Sequence, residues 1–216
     1  MFFYRELCGN GVYTMSDHSE VFATHYYYDK TFESDAVKIL PGEYHVSSDN
    51  LLQVTVLGSC VTACIRDKRS GIGGINHFML PDTHQTDPDS PIAVPTRYGT
   101  YAMEVLINHL MKLGAARGHL EAKIFGGASV LDGVTVSQVG ARNAAFVREF
   151  LRMEKIRVVA EDLLDIFPRK VYFFPGTGRV MVRKMKAARN EALLEYERRY
   201  RQRIIQAPVA GDAELF

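Results

Sequence analysis

In the stretch LGSCVTACIRDKRSGIGGINHFML, residues 57 to 80, two side chains have types and spacing that could do chemistry. Cys60 follows directly on a Gly58-Ser59 step, and His77 stands seventeen residues later between Asn76 and Phe78 in an otherwise apolar run. A thiol beside an imidazole is a nucleophile beside its base, because the ring takes the thiol proton or stabilises the thiolate. The bend of small residues suits that use: substrate can approach, and backbone N–H groups around Gly58, Ser59 and Cys60 can hold a developing oxyanion. Two other readings of Cys60 stand beside this one. Free cysteine is among the most buried residue types, so packing alone would account for it. Zinc held by Cys60, Cys64 and His77 is the third, although a structural zinc takes four ligands, usually in two close pairs, and no second pair exists here. Cys64 reads as core. An activated Cys60 is expected to alkylate at pH 7 faster than a thiol with the ordinary pKa of about 8.5.

The elements that must position these groups follow from periodicity. After Pro41-Gly42 the run YHVSSDNLLQVTVLGSCVTACIRD is rich in β-branched and apolar residues, with a turn at Asp49-Asn50, and predicts strands. Alternation places Cys60, Thr62 and Cys64 on one face and Val61, Ala63 and Ile65 on the other. GGINHFML predicts a further strand. Residues 81 to 96 carry four prolines and predict a long loop. From Arg97, apolar residues at Tyr98, Ala102, Val105, Leu106, Leu110 and Leu113 predict a helix stopped by Gly114, and Ser137 caps a second one with Val139, Phe146, Val147, Phe150 and Leu151 on its apolar face. LEAKIFGGAS, KIRVVAED and KVYFFPGTGRVMVRK predict four more strands, the last two joined as a hairpin through Pro175-Gly176-Thr177-Gly178. Strands interrupted by two amphipathic helices favour an α+β layered domain. Three segments result: an irregular arm over 1–35, a layered domain of strands and helices from about 36, and a basic helix and tail over 187–216.

Composition narrows the function. The 216 residues hold 26 Lys and Arg against 25 Asp and Glu, which lacks the footprint of a nucleic-acid or membrane-surface binder. Three cysteines, Cys8, Cys60 and Cys64, form no disulfide framework and suit a reducing compartment. No apolar run approaches the roughly 18 residues of a membrane span, so a cytoplasmic protein without direct membrane insertion is expected. Between Arg183 and Arg203 lie eight Lys or Arg residues against Glu191, Glu195 and Glu197, with a stripe of Leu193, Leu194, Tyr196, Tyr200, Ile204 and Ile205. The segment predicts a docked helix whose basic side could steer the protein toward acidic partners.

Over residues 36 to 186 the sequence resembles the CheD family, the chemoreceptor glutamine deamidases of chemotaxis. The resemblance rests on PGEYHVS, TVLGSCVTACIRD, GIGGINHFMLP, RYGTYAMEVLINHL, AKIFGGASV, VGARNAAFV and FFPGTGRVMVRK, in that order. It implies an α/β/β layered sandwich similar to the catalytic domain of cytotoxic necrotising factor toxins. It implies Cys60 as nucleophile, His77 as base, backbone support at Gly58 and Ser59, and no cofactor or metal. The substrates would be glutamine side chains of methyl-accepting chemotaxis receptors, with a CheC-like phosphatase as a further partner; a purely receptor-docking or phosphatase-docking adaptor is the alternative. The family's third catalytic residue is a threonine, in some members six positions before the cysteine, where this chain has Val54. Thr55 is the candidate in its place, and alternation turns it to the face opposite Val54 unless a bulge intervenes. The segment AEDLLDIFPRK lacks glycines that the family carries near Asp165.

Overall fold

Alternating β-branched and apolar stretches assemble into two mixed sheets in the structure, a computed structural model that describes residues 21–81, 94–129, 137–185 and 191–206. The larger sheet runs in the order β1 (Val21–Phe22), β4 (Glu43–Ser47), β7 (Gly73–His77), β6 (Val61–Asp67), β8 (Leu120–Gly126), β9 (Arg157–Leu163). The smaller runs β11 (Arg179–Lys184), β10 (Arg169–Phe174), β5 (Leu52–Leu57), β3 (Ser34–Ile39), β2 (His25–Asp29). Pairing is parallel at β1–β4, β8–β9 and β3–β5 and antiparallel elsewhere. Three helices complete the described residues: α1 (Val94–Lys112), α2 (Ser137–Met153) and α3 (Glu191–Gln206).

The alternation along β6 builds the layers. Val61, Ala63 and Ile65 pack with Leu106 and Leu110 of α1 and Val147 and Phe150 of α2. Cys60, Cys64, Ile75 and Met79 face the other way, onto Ile39, Val171 and Phe173 of the smaller sheet. The result is an α+β domain with α1 and α2 on one face of the large sheet and the small sheet on the other. Each large apolar side chain so buried contributes about 1.5–3 kcal/mol, which makes the inter-sheet seam a rigid mount for whatever sits in it. No helix of the described residues is long and apolar enough to cross a membrane.

Two expectations change. Residues 21–35 are not an irregular arm: His25–Asp29 pairs with Ser34–Ile39 as an outer strand. Tyr26, Tyr27 and Tyr28 are all exposed there, so an edge strand with neither face covered left no alternation to detect. The helix predicted from Arg97 begins at Val94, because Pro95 sits in its first turn, where a missing N–H costs nothing. Cys8 and the loop residues 82–93 lie outside the described residues.

Candidate active site

Thr55 and His77 meet across the seam between the sheets. β5 holds continuous register with β3 and β10 through Thr55, so no bulge is needed to turn its side chain inward, while Val54 packs on the outer face with Tyr172 and Leu52. The Thr55 hydroxyl donates to the Ile39 carbonyl at 2.9 Å and lies 2.8 Å from His77 Nδ1. A hydroxyl has one hydrogen. With that hydrogen on Ile39, Nδ1 must be the donor to Thr55, which fixes the tautomer and leaves Nε2 with its lone pair. Nε2 is buried and has no hydrogen-bond partner among the described residues. Burial pushes the His77 pKa down to about 3, so the ring is neutral.

Cys60 sits on the same face, one strand away. Val61 and Phe78 exchange backbone hydrogen bonds at 3.0 and 3.1 Å, and Cys60 and His77 each precede a member of that pair, which makes them diagonal neighbours. The bend before Cys60 is held from behind. Its three carbonyls are all occupied: Gly58 by the Ala128 N–H at 2.8 Å, Ser59 by the Asn143 carboxamide at 2.8 Å, Cys60 by the Gly127 N–H at 2.7 Å. The Asn143 oxygen in turn accepts from Leu80 N–H at 2.9 Å. Gly126 must be glycine, since its φ is +113° and a Cβ would stand 2.2 Å from the Cys60 carbonyl oxygen. With the carbonyls fixed to one side, the N–H groups of Gly58, Ser59 and Cys60 converge on the other, a concavity suited to an anion.

That concavity is filled by α3. The Glu197 carboxylate accepts from Gly58 N–H at 2.9 Å, Ser59 N–H at 3.1 Å, the Ser59 hydroxyl at 2.8 Å and Cys60 N–H at 3.3 Å. One turn on, Tyr200 packs against Gly42 and hydrogen-bonds Tyr98. Cys60 is fully buried in this arrangement. Fast alkylation, expected of an accessible thiolate, therefore does not apply to this closed state. The apolar stripe drawn from the sequence shifts too: Tyr196 is exposed, and the face that docks carries Glu197, Tyr200 and Ile204.

Behind the Gly126-Gly127 turn, fully buried Arg169 donates to the carbonyls of Gly126 at 2.9 Å, Asp162 and Leu164. Leu164 and Asp165 are held at φ of +69° and +78°, in the segment where family glycines were missed. Asp tolerates that region and Leu does not. Leu164→Gly is expected to stabilise the fold by up to about 1 kcal/mol, read as a raised urea midpoint at unchanged slope, since the relief of strain outweighs the added chain entropy. A lowered midpoint would show that the Leu164 side chain matters more than its backbone.

Among the sequence candidates, the structure thus brings Cys60, His77, Thr55, Gly58 and Ser59 together. Cys64 lies in the same seam, where burial pushes its thiol pKa well up. No three His, Cys, Asp or Glu side chains gather as a metal-ligand group among the described residues. Sequence reasoning missed Asn143, Arg169 and Glu197. Asn143 left a signal, a carboxamide in the apolar stripe between Val139 and Val147.

A two-sheet α+β domain with a cysteine, a histidine and convergent backbone amides at one strand end defines the class. The family model described as CheD chemotactic sensory transduction matches residues 79–184. A protein of Methylobacillus flagellatus named probable chemoreceptor glutamine deamidase CheD is 59% identical over 197 residues, covering 91% of this chain and 97% of its own. Same-named proteins of Herminiimonas arsenicoxydans, at 59%, and Dechloromonas aromatica (CheD 1), at 57%, match over 91% and 92% of this chain. The chain belongs to the CheD family of chemoreceptor glutamine deamidases. Among solved structures, the Bacillus licheniformis hypothetical protein YfiH is similar at 13% identity and a TM-score of 0.38, covering 70% of this chain and 66% of that one.

Proposed function

We propose that this protein hydrolyses the side-chain carboxamide of particular glutamines on chemoreceptor cytoplasmic helices to glutamate, with Cys60 as nucleophile and His77 as base. The observation that carries the reading is the donor chain from His77 Nδ1–H through Thr55 to Ile39, which leaves a buried, unengaged Nε2 diagonal to a cysteine whose loop aims three amides at one point. The His77 imidazole rests neutral. As sulfur attacks the carboxamide carbon, its proton passes to His77, and the amides of Gly58, Ser59 and Cys60 hold the oxyanion. The C–N bond then breaks, His77 protonates departing ammonia, and water activated by the same ring opens the thioester. No step calls on a cofactor or metal. The likeness of the layered fold to the toxin deamidase domain, a cytoplasmic location and docking to a CheC-like phosphatase belong to the same proposal.

The test is ammonia release on mixing with a receptor cytoplasmic fragment; a protein that bound the fragment and released none would be the adaptor instead. Thr55→Val is expected to slow that release about tenfold or more, because the imidazole loses the acceptor that sets its tautomer. Nitrogen-15 shifts of His77 should change with it. An unchanged rate and unchanged shifts would take Thr55 out of the site.

A further inference from the structure

We infer that α3 is a resident product mimic: the site takes a glutamyl side chain offered from one face of a helix, and Glu197 keeps it closed until a substrate helix displaces α3. This deepens the deamidase reading and rests on it. The product of that reaction is a glutamate side chain on a helix. Glu197 is one, and its carboxylate already sits on the three amides of the Cys60 loop.

The seat fits a backbone-close visitor. Gly58 has no side chain, and a Cβ there would come within 2.8 Å of a Glu197 carboxylate oxygen. One turn along, Tyr200 lies against another glycine, Gly42, where a Cβ would meet its ring at 2.7 Å. A helix can therefore approach closely at two points one turn apart, carrying a glutamyl group at the first and an aromatic ring at the second. On the outward side of α3, Glu195 pairs with the exposed Arg198 and Arg199 in ion pairs within the helix itself. Exposed pairs of that kind contribute little and fix nothing to the domain. What anchors α3 is the set of contacts that a substrate helix would need to replace. The chain in this state offers neither its thiol nor its oxyanion seat.

The experiment uses the full chain and four variants, Glu197→Ala, Tyr200→Ala, Glu197→Gln and the double variant Glu197→Gln with Cys60→Ala, each checked for folding by circular dichroism. Two rates are measured: iodoacetamide labelling of Cys60, resolved by peptide mass spectrometry, and deamidation of a receptor cytoplasmic fragment. Removing the carboxylate takes away several charge-assisted hydrogen bonds, so Glu197→Ala is expected to raise both rates by about tenfold or more. Tyr200→Ala should do the same more weakly, and carries the test if Glu197→Ala fails to fold. In Glu197→Gln the introduced carboxamide is itself a substrate in place. Cys60 sulfur bonds to its carbon, ammonia leaves with the proton relayed by His77, and water cleaves the thioester to restore thiol and carboxylate. The peptide carrying position 197 should then gain about one dalton, and should not in the double variant with Cys60→Ala. Folded Glu197→Ala with both rates unchanged or lowered would overturn the proposal and make Glu197 part of the working site. Faster labelling with no deamidation by any variant would leave a cover over the thiol but overturn the deamidase reading, and product mimicry with it.

Discussion

Cys60→Ala is expected to bring receptor deamidation down by at least about a thousandfold while the protein stays folded, because it removes the thiol that forms the acyl intermediate. The stability cost should be small. The side chain is fully buried in the inter-sheet seam, but it is one sulfur atom, and removing it costs about 1 kcal/mol. In a chain of this size that lowers Tm by about 2–4 °C. Cys64→Ala is the control, four residues along the same strand and in the same seam. It should show a similar fall in Tm and keep its rate, since its thiol is held protonated by burial. Rates measured against thermal melts of both variants separate nucleophile from packing, and an active Cys60→Ala would place the nucleophile elsewhere.

His77→Gln should cost a comparable factor, about a hundredfold to ten-thousandfold, through loss of the proton carrier aligned by Thr55. It should also alter how stability depends on pH. His77 is neutral in the fold with its pKa pushed to about 3, against an ordinary value of 6.5. Between those values the unfolded chain binds a proton that the folded chain refuses. The group therefore lowers stability progressively as pH falls from about 6.5 toward 3, and contributes no slope above that window. Urea denaturation across pH 4 to 7 should show a shallower acid decline for His77→Gln than for the unmodified chain. An equal decline would mean that His77 is charged, and not buried neutral, in the folded state.

How much of this was legible beforehand differs from residue to residue. Cys60 and His77 could be read because each breaks a local pattern, a thiol after a Gly-Ser bend and an imidazole inside an apolar strand. For Thr55 the alternation misled: with Val54 in the family threonine's position, it put Thr55 on the far face unless a bulge intervened, whereas the structure turns Thr55 inward in continuous register. What it meets was not legible either, since that depends on how β5 of one sheet lies over β7 of the other. Tyr26 to Tyr28 form a strand that alternation could not reveal, because both of its faces are open. Glu197 was hidden by its company. A carboxylate among arginines reads as a solvated face, and its partners stand 137 to 139 residues away in the chain. Asn143 and Arg169 act by holding carbonyls of the Cys60 loop and of the turn behind it, and backbone acceptors leave no trace in composition.

The most direct measurement is mass spectrometry of a receptor cytoplasmic fragment after long incubation with the full chain, beside Cys60→Ala and Glu197→Ala. The account predicts gains of about one dalton at individual glutamines, faster with Glu197→Ala, absent with Cys60→Ala, and no cleavage of the fragment. An unaltered mass with every form of the protein, or new peptide fragments in place of the mass gain, would contradict it.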